Sequence, residues 1–150
     1  VLARPDGRIA VFEDDELHHV TLPWPVDLEL AIRSAQLHSF QTVSNEPRKF
    51  YLARDLPRAF REAGLQCDEV HSFAFTRRAP FDPPTRGFLE AYLADLRRRA
   101  SPFLAASDQS RFDELADPRS PRFLLDDPDA LVVCVSCLGL AGRPSPERSG

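Results

Sequence analysis

Methionine is missing from all 150 residues, position 1 included, and the chain opens on Val1-Leu2-Ala3-Arg4-Pro5-Asp6-Gly7-Arg8. That opening reads as the middle of an element, so the expectation is a part of a larger domain. Lysine occurs once, against eighteen arginines, a bias that reflects base composition and not chemistry. Cysteines number three, an odd count that gives no disulfide framework and fits a reducing compartment. Excess positive charge is lacking as well: the formal net charge is −4 and the pI about 5.6, which argues against nucleic acid as a partner. No apolar run approaches the roughly 20 residues of a membrane helix, and no charged-then-apolar leader is seen, so no membrane partner is expected and the cytoplasm is the expected location. The six glycines are scattered. None builds the G-x-G-x-x-G turn that lets a backbone approach a dinucleotide.

What is present suits one soluble domain with a single core: 43% apolar and 28% charged residues over 150 positions. The run Arg97-Arg98-Arg99 falls where a helix should end, a place cations favour because of the helix dipole. Cys134 and Cys137 form a C-x-x-C, but they lie inside the apolar stretch Leu131 to Leu140. In a strand, residues three apart point to opposite faces, so both are read as small core residues and not as metal or redox ligands.

Along the chain, Pro5-Asp6-Gly7 has the chemistry of a turn and leads into a short buried strand, Ile9 to Phe12. Glu13, Asp14, Asp15 and Glu16 follow, then His18 and His19. Leu22-Pro23-Trp24-Pro25 is a rigid extended link. Val26 to Phe40 has the apolar spacing of a helix, Gln41 to Lys49 is polar loop, and Leu52 to Ala63 is the clearest helix, stopped by Gly64. Cys67 to Arg77 alternates as a strand, with Val70 out of phase and a bulge therefore expected. Ala79 to Pro84 is a linker. Thr85 is the expected cap of a helix from Arg86 to about Ala100, broken by Pro102, and a second helix covers roughly Ser107 to Ala116. Ala130 to Leu140 is apolar on both faces, as a covered central strand should be.

Three segments, in order, carry a family resemblance. Val1 to Glu13 resembles the segment of class I S-adenosylmethionine-dependent methyltransferases that leads through a glycine-containing turn into the fifth strand. Asp6 stands where a first glycine is more common. Asp55-Leu56-Pro57-Arg58-Ala59-Phe60-Arg61-Glu62-Ala63-Gly64-Leu65 is similar to the helix after that strand. Val132 to Pro144 is similar to the last strand and its Gly-Arg-Pro ending. The resemblance covers about a third of the chain and implies an α/β fold: the last three strands of a Rossmann-like sheet in the order 5-7-6, the final strand antiparallel and central, with helical inserts.

It further implies a division into strand and cleft loop (1–23), lid insert (24–50), helix and strand (51–77), helical insert (78–129), last strand (130–144) and tail (145–150). The implied function is the acceptor-binding part of a methyltransferase that acts on a small molecule. S-adenosylmethionine would bind mainly through upstream strands, with no cofactor-binding residue here.

Ligands of such sheets lie beyond the carboxyl ends of the strands. The expected catalytic residues are Asp14 and His18, as proton acceptors; Glu13, Asp15, His19, Trp24 and Arg33 are the expected acceptor-binding residues. A solvated acidic loop is the plain alternative for the carboxylates, and packing is the plain alternative for Trp24. A helix at Val26 to Phe40 should bring Trp24 or Arg33 over Glu13 to Asp15. A non-catalytic α/β binding or interaction domain is the alternative function. Oligomeric state is not legible.

Overall fold

The computed structural model describes residues 7–15, 18–44 and 51–144. Pro5 and Asp6 of the expected turn, Glu16, residues 45–49 of the expected polar loop and the 145–150 tail lie outside the described residues. The elements run β1 (Ile9–Glu13), β2 (Val20–Thr21), α1 (Val26–Val43), α2 (Leu52–Glu62), β3 (Gln66–Arg78), α3 (Pro83–Ala100), α4 (Ala106–Ala116) and β4 (Leu131–Gly142). Short 3-10 turns at Ser101–Phe103 and Leu124–Asp126 follow α3 and precede β4. The class is α/β, and the sheet is four-stranded, antiparallel and open. As the two-sided apolar character of its sequence indicates, β4 is the central strand. It pairs antiparallel with β1, Ile9 opposite Ala141 through Glu13 opposite Cys137, and also pairs with β2 and β3.

The chain forms two compact units, and both β3 and β4 run through the two. The first holds 7–15, 18–19, 51–74 and 135–144 of the described residues. Its core is small: Leu56 and Phe60 of α2 close on Ala141, with Val11, Leu52, Leu65, Cys67 and Cys137 packed around them. Alternation along β4 points 137, 139 and 141 at this helix. Gly139 is required there. A Cβ on it would stand 2.7 Å from Cε2 of Phe60, nearer than side chains approach. Gly64 closes α2 with φ at +73°, the left-handed conformation that glycine adopts without a steric penalty.

The second unit holds 20–44 and 75–134. Leu28, Ile32 and Ala35 of α1, Leu89, Leu93 and Leu96 of α3 and Phe112 of α4 make its core, closed by Phe123, Leu124, Leu125 and Val132. The spacing of these residues by three and four is why the segments are helices: each buries one stripe.

Several boundaries differ from the sequence reading. The first helix runs three residues past Phe40, to Val43. The third begins at Pro83, and its cap is Asp82 and not Thr85: the Asp82 carboxylate accepts from the Thr85 backbone N–H at 2.8 Å. Prolines at the first two helical positions need no donor, and their fixed φ suits that turn. The strand after α2 is one element, Gln66–Arg78, in which Val70, Phe73 and Phe75 are all exposed. Strict alternation is not enforced where both faces of a strand meet solvent.

Candidate functional site

The first unit gathers ionisable groups where β1 ends. Glu13 pairs with Cys137, and the His19 carbonyl accepts from the Val135 backbone N–H at 2.8 Å. The chain therefore leaves the ladder after Glu13 and has rejoined it by His19. The loop is wound on the Asp15 carbonyl, which accepts from the backbone N–H groups of both His18 and His19 at 2.7 Å. His19 Nδ1 lies 3.3 Å from the same oxygen.

The Asp15 carboxylate is largely covered, and Arg54, in the first turn of α2, neutralises it. Arg54 donates to Oδ2 of Asp15 through Nε at 2.6 Å and also through Nη2. The same Nη2 lies 3.0 Å from Nδ1 of His18, which is 3.4 Å from Oδ1 of Asp15. A guanidinium only donates, so the Arg54 contact belongs to a His18 ring with Nδ1 unprotonated and Nε2 as its N–H. Below the guanidinium lies the Tyr51 ring, with the Arg54 carbon 5.1 Å from its centroid, within cation–π range. Burial raises the Tyr51 hydroxyl above its ordinary pKa; the negative charge of Asp15 adds to this and the Arg54 cation opposes it.

Asp14 differs from its neighbour. Its Oδ1 is buried and has no hydrogen-bond partner. An unpaired buried carboxylate oxygen is costly, and a hydroxyl or ammonium hydrogen brought to it would relieve that cost.

Of the residues the sequence singles out, the structure brings Asp15, His18 and His19 together, with Asp14 beside them and Glu13 half-buried at the end of β1. Tyr51 and Arg54 are additions. They lie at the start of α2, which follows another helix in the chain and reaches Asp15 only through tertiary packing. Trp24 and Arg33 belong to the second unit and are engaged there. Trp24 is buried edge-on to Phe112 at 5.7 Å between ring centroids. Arg33 donates to Glu29 at 2.8 Å, Gln36 at 3.1 Å and the Val20 carbonyl at 2.9 Å. This network supports a fully buried Gln36. Burial also raises the pKa of Tyr92 in this core, with the Arg33 cation opposing the shift.

Cys67, Cys134 and Cys137 form no disulfide, and Cys134 and Cys137 belong to different cores. Among the described residues, no group of three or more His, Cys, Asp or Glu side chains is placed to share a metal ion. Nor is any helix among them long and apolar enough to cross a membrane. Comparison with protein-family models, with curated proteins and with solved structures found no match to this chain.

Proposed function

We propose that the chain is the acceptor-binding part of an S-adenosylmethionine-dependent methyltransferase that acts on a small molecule, its strands being the last three of a Rossmann-like sheet. The observation that supports this is the position of β4: last in sequence, it runs antiparallel between β1 and β3. A 5-7-6 sheet end has the same arrangement, with α2 and the α3–α4 insert as its connections.

Among the described residues the glycines stand apart from one another. Gly64 ends α2, Gly87 lies within α3 and Gly139 and Gly142 lie in β4, so no glycine-rich turn follows a strand. Cofactor binding is accordingly assigned to an upstream part. When bound, S-adenosylmethionine supplies an electrophilic methyl group; this chain orients the acceptor and takes the proton that the acceptor atom gives up. Asp14 suits proton acceptance, because its Oδ1 is unpartnered while Asp15 is held by Arg54. With Nδ1 turned to Arg54, His18 offers its Nε2–H to an oxygen of the acceptor. Holding the acceptor in line contributes most of the rate, and a positioned proton acceptor adds about 10²-fold or more.

Calorimetric titration with S-adenosylmethionine tests the reading in two arms. The 150-residue chain alone should show no binding, and the chain joined to an upstream half should bind in the micromolar range and transfer methyl groups. Micromolar binding by the chain alone would end the half-domain assignment. No binding by the joined protein would end the methyltransferase assignment and leave a non-catalytic α/β binding domain.

A further inference from the structure

The free edge of β3 carries information that the proposed site does not use. The strand is 13 residues long, Gln66–Arg78, and its only partner among the described strands is β4. Among the described residues no strand pairs with its other edge, whose backbone N–H and C=O groups can therefore take a partner. Long edges are normally blunted by prolines, bulges or charges along their length. Here the central stretch Val70-His71-Ser72-Phe73-Ala74-Phe75-Thr76 has no Asp, Glu, Lys, Arg or Pro. Val70, Phe73 and Phe75 are 42%, 39% and 46% exposed. Charge sits only at the two ends, with Asp68 and Glu69 at one and Arg77 and Arg78 at the other.

From this pattern we infer that β3 is a self-complementary dimerisation edge, on which β3 of a second copy pairs antiparallel across a two-fold axis at Phe73. In that register Glu69 faces the partner's Arg77 and Asp68 faces the partner's Arg78, and symmetry doubles both pairs. Ser72 meets the partner's Ala74, Val70 the partner's Thr76 and His71 the partner's Phe75. Directly opposed residues of antiparallel strands share a face, so Glu69, His71, Phe73, Phe75 and Arg77 all project to one side. The four phenylalanines of the two copies then form one aromatic cluster over the axis, through the Phe73 pair and the diagonal Phe73–Phe75 contacts.

The register is selected by charge. A slip of two residues either way removes both acid–base pairings, and a parallel arrangement sets acid on acid and base on base. The cations are available for it. Arg77 donates to its neighbouring Thr76 carbonyl at 3.1 Å, and neither Arg77 nor Arg78 forms an ion pair among the described residues. The acids have exchangeable partners: the exposed Arg8 at 3.5 Å from Asp68, and His71 at 2.8 Å from Glu69. An isologous interface of this kind closes at two copies, unlike open edge-to-edge addition.

Equilibrium sedimentation of the intact protein and three charge variants tests the pairing, independently of any enzymatic activity. The wild-type chain should be a dimer. D68R/E69R puts four cations along each strand and R77E/R78E puts four anions, and each should weaken self-association at least about tenfold, because like charges then oppose across the pair. The quadruple variant D68R/E69R/R77E/R78E restores complementarity with the signs exchanged, and should dimerise again. So should an equimolar mixture of the two double variants, as heterodimers. A wild-type monomer at about 100 µM, the weak end of specific association, would overturn the inference. So would double variants that associate like wild type, or a quadruple variant and a mixture that stay as dissociated as the doubles.

Discussion

Asp14 and Asp15 are adjacent carboxylates in opposite circumstances. Asp15 is neutralised by Arg54, 39 residues further along the chain, whereas Asp14 holds a buried oxygen that nothing meets. Replacing Asp14 by Asn keeps the shape and removes the charge. Under the proposed function, D14N should reduce kcat of the methyl-transferring protein about 100-fold, since a positioned proton acceptor contributes that order. Its thermal midpoint should hold or rise, because the negative charge shared by a buried, unpartnered carboxylate oxygen has been removed. D15N, in contrast, should lower the midpoint by leaving Arg54 with a weaker partner. Full activity in D14N, in a variant shown to fold, would remove Asp14 from the proton path. The sequence alone placed the acids and histidines at the end of the first strand, because an apolar strand that runs into four carboxylates must surface there. It did not identify Tyr51 and Arg54, whose approach depends on how α2 lies on β1 and leaves no local periodicity. Trp24 and Arg33, which the sequence gave to the same site, have partners in the second unit: Phe112 for Trp24, and Glu29, Gln36 and the Val20 carbonyl for Arg33.

Element ends were legible where one residue type has a single job. Gly64 ends α2 because only glycine takes positive φ freely, and β4 was visible as a run apolar on both faces. The start of α3 was less so, because Asp82 and Thr85 both have capping side chains and the prolines between them look like linker. The Asp82 carboxyl is held below the ordinary carboxylate range, chiefly by the hydrogen bond from Thr85. The linkage sign follows from this. A group whose pKa is depressed by folding stabilises above its unfolded value, near 3.8, and loses that contribution as the pH falls through the lower folded value. D82A should therefore lower the thermal midpoint at pH 7, and D82N should lie close to wild type, as asparagine caps comparably. The gap between D82A and wild type should shrink as pH drops below about 3.8. A gap that is constant from pH 7 to pH 2.5 would mean that the carboxylate charge contributes nothing at this helix end. The two-residue β2 escaped sequence reading for a plainer reason: Val20–Thr21 is too short to show alternation.

At the scale of the whole chain, composition pointed to one core, and the structure has two. Periodicity cannot separate them, because each element announces only that it buries a face and not which partner it buries it against. Among the described residues, Leu56, Phe60 and Ala141 form the buried part of the smaller core. Because β3 and β4 are each single elements that run through both units, losing one core should fray strands on which the other depends. Leu56→Ala empties the first core and Phe112→Ala the second, each at about 2 to 5 kcal/mol. For a chain of this length that corresponds to roughly 10 °C in the midpoint. Trp24, the one tryptophan, lies in the second core and reports on that unit alone. Leu56→Ala should therefore lower the unfolding midpoint seen by Trp24 fluorescence by about as much as that seen by amide exchange in α2, as expected of one cooperative transition. If Trp24 keeps its wild-type midpoint while the α2 amides exchange freely, the two units unfold separately, and the shared strands do not transmit stability between them.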